Sequence, residues 1–421
     1  NSIVYPSASI SLIPTKLWDG LQSSGLNYLK VRAGYGTSAN FLGAQSIDRF
    51  QSYPIASILS FDTQFHQDQS GNDVISNTSG TQLGNPNLRP ERVDEIELGI
   101  EGSFWDNRIG LDLSLYQRNT IDLIVEQPLD PSTGYTITQS NIGKIRNNGV
   151  EIDITGNIIR NLNGFDWNLG INWSTNESTV IDLGQDTDRV VFAGFTNGAA
   201  NAAIPGESLG TIIGSTISRN DQGQFLVNAA GSYVEDTSLS IIGDANPDFL
   251  LNISNGFSYK GFNFNFLFNW NQGGDIYSRT VAVLLGRGLT TDTLDRENSF
   301  ILPGVQSDGS PNTRQINNST FYFSNVLFGP DELQVYDATS MRLQEISLAY
   351  TLPDSILENS PFGSISLTAS GFNLWYHTPN IPEGTNFDPN VAGVGVGNGR
   401  GFDFLNGPSS KRYGLSLKLT F

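Results

Sequence analysis

The segment FNFNFLFNW places Phe262, Phe264, Phe266, Phe268 and Trp270 at every second position. A period of two belongs to a β-strand, whose successive side chains leave on opposite faces. The alternation returns along the whole chain. LKVRAGY sets Leu29, Val31, Ala33 and Tyr35 against Lys30, Arg32 and Gly34. IELGIEGSF sets Ile96, Leu98, Ile100 and Phe104 against Glu97, Gly99, Glu101 and Ser103. IGLDLSLYQR opposes Ile109, Leu111, Leu113 and Leu115 to Asp112, Ser114, Tyr116 and Arg118. VEIDIT, WNLGINW, PDFLLNISNGFSY, ISLAYTL and ISLTASG follow, and the chain closes on YGLSLKLTF with Tyr413, Leu415, Leu417, Leu419 and Phe421 aligned. With NSIVYPSASISL at the start, about eleven strands are expected, each near the roughly 9–11 residues that cross a bilayer at a tilt. No helical period of comparable length appears.

Connections alternate in length. WDNR (Trp105 to Arg108), IRNLNGFD (Ile159 to Asp166) and YKGF (Tyr259 to Phe262) are tight, and their Asp-Asn, Asn-Gly and Lys-Gly pairs suit the positive φ of hairpin turns. After the second, sixth and eighth strands come connections of roughly 50 to 70 residues, a length that is usually functional. Short turns at one end and long loops at the other form the pattern of an outer-membrane barrel, turns periplasmic and loops extracellular. With WDNR periplasmic, Phe421 is periplasmic too, and the first strand starts on the extracellular side. An odd strand number running between opposite sides is expected of part of a barrel, because complete bacterial barrels carry even numbers.

Composition narrows the field. Forty-two acidic against 23 basic residues give a net charge of −19, which excludes a role in neutralising a nucleic-acid backbone. Mean hydropathy is −0.21, and no run approaches the roughly 18 apolar residues of a membrane helix. Neither fact speaks against a barrel, whose strands are half polar. There is no cysteine, so no disulfide, thiolate metal site or cysteine nucleophile is available. The N-terminus has no signal-peptide pattern and reads as a strand already under way.

Which face is wet depends on the class. In a soluble sandwich the apolar rows would pack against a second sheet. In a barrel they would meet lipid, and the alternate face with Glu97, Glu101, Asp112, Arg118, Glu151 and Asp153 would line a hydrated lumen or meet a polar plug. The second reading also requires the sheet to close, because lipid leaves no partner for edge amides.

Several stretches, in order, carry a resemblance: LKVRAGYGTSAN, GNPNLRPERVDEIELGIEGSFWDNRIGLDLSLYQRNTIDLI, NIGKIRNNGVEIDI, GDANPDFLLNISNGFSYKGFNFNFLFNWNQGGDIYS, SMRLQEISLAYTLP, SGFNLWYHTPNIPEGTNFDPN and YGLSLKLTF. Together they resemble the C-terminal half of SusC-like (RagA-type) TonB-dependent outer-membrane transporters. The resemblance implies an all-β, antiparallel transmembrane barrel of 22 strands, of which residues 1–421 would hold the later eleven, with signal peptide, TonB box and plug domain upstream. It also implies a cell outer-membrane location in a diderm bacterium. The implied activity is import of oligosaccharides or peptides, driven by a TonB complex pulling on the plug, beneath a SusD-like surface lipoprotein lid. A dimer of such SusC–SusD pairs stays open.

Catalytic and metal chemistry finds little support. His66 and His377 fall in separate expected loops with no shared ligand spacing. No nucleophile-elbow pattern is present. GVGVGNGRG (Gly393 to Gly401) lacks the Lys-Ser/Thr and the helix of a phosphate loop. RNDQGQF lacks the bidentate glutamate of a calcium loop and reads as a turn. Glu97 and Glu101, four apart on one strand face, stand about 13 Å apart, too far for a hydrolytic pair. The expectation is therefore no cofactor and no enzyme. Aromatics in the long connections, Trp375 and Tyr376 in NLWYHTPN and Phe321, Tyr322 and Phe323 in STFYFSN, are candidate substrate contacts, with girdle or loop packing the alternative. A passive porin, and a scaffold subunit of a larger envelope complex, are the competing functions.

Overall fold

A computed structural model describes residues 4–421 except 24, 41–58, 62–65, 68–69, 71–72, 75–76, 80–81, 185–186, 196–197, 359 and 392–398. Eleven strands follow one another in chain order through a single antiparallel wall. They are β1 (Ser7–Leu12), β2 (Leu26–Asn40), β3 (Glu91–Phe104), β4 (Ile109–Pro128), β5 (Ile137–Leu162) and β6 (Phe165–Asp182). Then come β7 (Phe249–Tyr259), β8 (Phe262–Gln272), β9 (Ser340–Thr351), β10 (Ser364–His377) and β11 (Arg412–Thr420). The segments found by alternation are these eleven, in the same order.

Register converts the alternation into two continuous faces. Ile100, Leu113, Ile152, Trp173, Leu251, Trp270 and Met341 lie side by side across seven strands. One residue further along β4, the row Ser114, Glu151, Ser174 lies on the opposite face, and Asp112, Asp153, Asn172, Asn252 and Asn269 continue that polar side. Among the described residues, nothing packs on the apolar side. Leu98 is 51% exposed, Leu348 48% and Leu417 61%. An apolar face of this extent left bare in one chain marks contact with something other than water. The sandwich alternative, which needs a second sheet there, does not hold.

Hairpin turns gather at one end. Trp105, Asp106 and Asn107 hold φ of 50°, 54° and 59°, while Asn163–Gly164 and Lys260–Gly261 place two left-handed residues in succession. Paired positive φ is what a two-residue hairpin demands of its centre. Residues 129–136, 183–248, 273–339 and 378–411 connect the strands at the other end. Much of this material folds into a packed body. Val190–Gly194, Ala200–Ala203, Thr211–Ile217 and Glu235–Asp244 make a four-stranded antiparallel sheet. Val335–Asp337, Asp275–Ser278 and Phe402–Asp403 make a three-stranded one that joins two different connections. Its cores contain Ile276, Val281, Leu285, Leu327 and Phe387, and Ile212, Tyr277 and Phe402. The dry core of the chain thus lies in its loops, and the wall has none of its own.

Candidate functional site

The polar face of the wall is the first candidate. Arg32 on β2 reaches Glu97 on β3 at 3.3 Å and Asp112 on β4 at 2.9 Å, so one guanidinium ties three strands. Gly99 lies beneath it: a Cβ there would stand 2.4 Å from Arg32 Nε. Lys30 holds Glu101 at 3.1 Å, and Arg118 donates to Glu95. Asp153 accepts from the Asn172 amide, and Glu151 is exposed beside it. All six residues expected on this face are there, on three neighbouring strands, and their ion pairs are part-exposed, each worth about 0.2–1 kcal/mol.

Beyond β5 the same face changes character. Thr155, Asn168, Gly170, Ser254, Gly256 and Asn265 line an open depression of about 520 Å³. Glu345 closes one edge of it. Short hydroxyl and amide side chains leave the hollow, and no cation faces it.

The loop body is the second candidate. Phe321 and Tyr322 pack against its larger core, while Phe323 is 42% exposed, edge-on to Phe328 and under Arg287. Burial raises the Tyr322 and Tyr336 phenols above their ordinary range. Trp375 is not in a loop. β10 runs to His377, so Trp375 stands on the apolar face, stacked on Phe268 at 6.4 Å and on His377 at 6.3 Å. The expectation of a loop failed because the strand extends past Gly371 through a bulge at Asn373, whose φ is 52°. His377 correspondingly ends a strand. Tyr376 takes the polar side, donating to the Asn386 carbonyl at 2.6 Å.

Sequence reasoning missed the clamp beside Tyr376. Arg342 of β9 and Asp388 of the β10–β11 connection are 9% and 1% exposed in their side chains and form a direct ion pair. Arg342 also faces the Tyr376 ring at 5.9 Å, and Asn380 donates to Asp337 at 2.7 Å. A second missed network is fully buried: Tyr277 donates to Asp331 Oδ1 at 2.9 Å while the Ser215 amide donates to Oδ2 at 3.1 Å. The apolar runs TIIGSTI and TVAVLLG were the available signal that these loops hold a core.

His66 falls in the two-residue strand His66–Gln67, and Gly393 to Asn398 lie outside the described residues. RNDQGQF is a turn tied by the Asn220 side chain, which accepts from the Gln222 and Gln224 amides. Among the described residues no three potential ligands converge.

Known proteins share this plan. Residues 1–205 match the family model described as TonB dependent receptor-like, beta-barrel. TonB-dependent receptor P3 of Formosa agariphila is 26% identical over 99% of this chain and 42% of its own length. TonB-dependent receptor SusC of Bacteroides thetaiotaomicron is 32% identical over 40% of this chain and 16% of its own. Among solved structures, the RagAB peptide transporter superposes with a TM-score of 0.70 at 19% identity, over 99% of this chain and 43% of that one. The chain is therefore similar to TonB-dependent receptors, to their β-barrel family model over residues 1–205 and to receptor P3 over nearly its whole length. Over two fifths of its length it is similar to SusC, and it shares its fold with RagAB. It spans about two fifths of the length of the Formosa relatives it matches.

Proposed function

We propose that this chain is the later, C-terminal part of the barrel of an active importer. Upstream strands complete the cylinder, and an upstream plug fills it and couples to a TonB complex. Hairpin turns and Phe421 face the periplasm, and the packed loops face outside, beneath a SusD-like lipoprotein. The observation that carries this reading is the division of one wall into a bare apolar face and a charged, hydrogen-bonded one, with a structured body over a single end. A soluble enzyme would gain nothing from the first face.

Cargo is an oligosaccharide or a peptide. The peptide option draws on the likeness to RagAB, described as a peptide transporter. The sugar option draws on SusC. Tyr376, Phe321, Tyr322 and Phe323 remain the aromatic candidates for contact, Phe323 being the most open. The test is growth of the source strain on oligosaccharide or peptide panels, with the gene intact, deleted, or combined with inactive TonB. Loss of one nutrient class in both mutants is expected. Unchanged growth on every member overturns the importer reading, and loss in the deletion but not in the TonB mutant makes the barrel a porin.

A further inference from the structure

We infer that the polar face is split into a docking sector on β2–β5 and a passage sector on β6–β9. This rests on the importer reading and adds which part of the wall does what. Between Lys30 and Glu101 at one end and Glu95 and Arg118 at the other, the first sector carries six carboxylates, Glu95, Glu97, Glu101, Asp112, Glu151 and Asp153, against three cations, Lys30, Arg32 and Arg118. The surplus fits a protein surface with a basic face, held in fixed register. Carboxylates aimed into a narrow space are otherwise left to repel one another. Each cation here is already shared with a wall carboxylate, so the complement has to come from the docked segment, which on the importer reading is the plug.

The second sector offers the reverse. Asn168, Asn172, Ser254, Asn265 and Asn269 present neutral groups on short stems, and Gly170 and Gly256 open the depression of about 520 Å³ between them. Two charges stand on this face at mid-wall: Arg342, beside Asn269, is withdrawn in its ion pair with Asp388, and Glu345 makes no ion pair among the described residues. Neutral hydrogen bonds are worth about 0.5–1.5 kcal/mol each and exchange readily with water. A wall of them lets a hydroxyl- or amide-rich neutral solute slide, where a charged wall would hold a partner fast. The passage sector thus suits an uncharged polar solute rather than an anion or a cation.

The chain contributes no cysteine, so single thiols can be introduced cleanly. In the intact polypeptide in cells, Ser254→Cys and Ser114→Cys are probed from outside with a small neutral maleimide and with a bulky one. The expected result is labelling of Ser254→Cys by the small reagent, protection of Ser114→Cys, and exclusion of the bulky reagent from both. Adding E97Q, E101Q and D112N together is expected to expose Ser114→Cys, with assembly checked by the heat-dependent mobility of the barrel. Protection of Ser254→Cys with labelling of Ser114→Cys, or equal labelling of both by the small reagent alone, overturns the sector assignment. So does a charge-neutralised barrel that assembles and still protects Ser114→Cys. Entry of the bulky reagent at both sites removes the plug and the importer reading with it.

Discussion

At the scale of single residues, the strongest local commitment is the Arg342–Asp388 pair. Both side chains are withdrawn from water, and the pair joins a wall strand to the connection that folds over it. Removing one partner of a buried pair leaves an uncompensated charge and costs about 3–5 kcal/mol. Arg342→Met is therefore expected to release residues 378–391, seen as new protease cleavage there on intact cells. The double variant Arg342→Met with Asp388→Leu is expected to be less susceptible than the single one. Asp275 behaves differently. Burial first, and then the charges of Asp337, Asp244 and Asp248, raise its carboxyl above the ordinary 3.8, while the Asp244 amide bond opposes this. A raised acid binds its proton more tightly folded than unfolded, so its junction is most stable at low pH and loses stability as pH rises through the raised value. Asp275→Asn is expected to remove that loss. Hydrogen exchange of the peptide containing Asp244, corrected for intrinsic pH effects, should match wild type at low pH and be slower than wild type at pH 7.

At the scale of elements, the period of two located every wall strand because each strand is judged by two solvents at once. Its alternation survives even where propensity is weak, as in the asparagine-rich β8. What the alternation could not locate were strand ends. The wall strands β4, β5 and β6 run 20, 26 and 18 residues, past any bilayer, and β10 carries Trp375 past a bulge. The facing itself is open to test. Leu348→Arg puts a cation on the bare face toward the turn end and is expected to cost up to about 2 kcal/mol, whereas Ser347→Arg on the polar face is expected to assemble normally. Equal loss of heat-resistant barrel from both would deny the facing. Turn chemistry gives a sharper contrast. At Gly261 φ is 87° and a Cβ would stand 2.7 Å from the Thr351 carbonyl, whereas Gly164 has φ of 80° and open space. Gly261→Val is expected to slow refolding into vesicles more than Gly164→Val, since only the first adds a clash to the left-handed strain of about 1–3 kcal/mol.

At the scale of the whole molecule, the wall and the loop body obey different rules, and only the wall's rule was written as a simple period. The body's core draws on residues far apart, Tyr277 with Phe402 and Ile381 with Leu285, so no single window of sequence displays it. The same distinction explains why the polar-face candidates fell together while the aromatic ones scattered. The wall also sets a condition on everything around it. β1 and β11 each have one paired neighbour, and every residue of both is exposed. Outward amides on those strands have no strand partner among the described residues, and each buried without one costs several kcal/mol in lipid. Association of two open walls through β11 would satisfy some of them, but would leave both β1 edges bare. Pairing to further strands of the same polypeptide satisfies all. In the intact protein, amides along Tyr413–Leu419 are accordingly expected to exchange as slowly as those along Leu111–Leu115, which are paired on both sides. Fast exchange at every second β11 amide, beside a slow β4, would mean an edge that stays open in the membrane, and the cylinder would have to be abandoned.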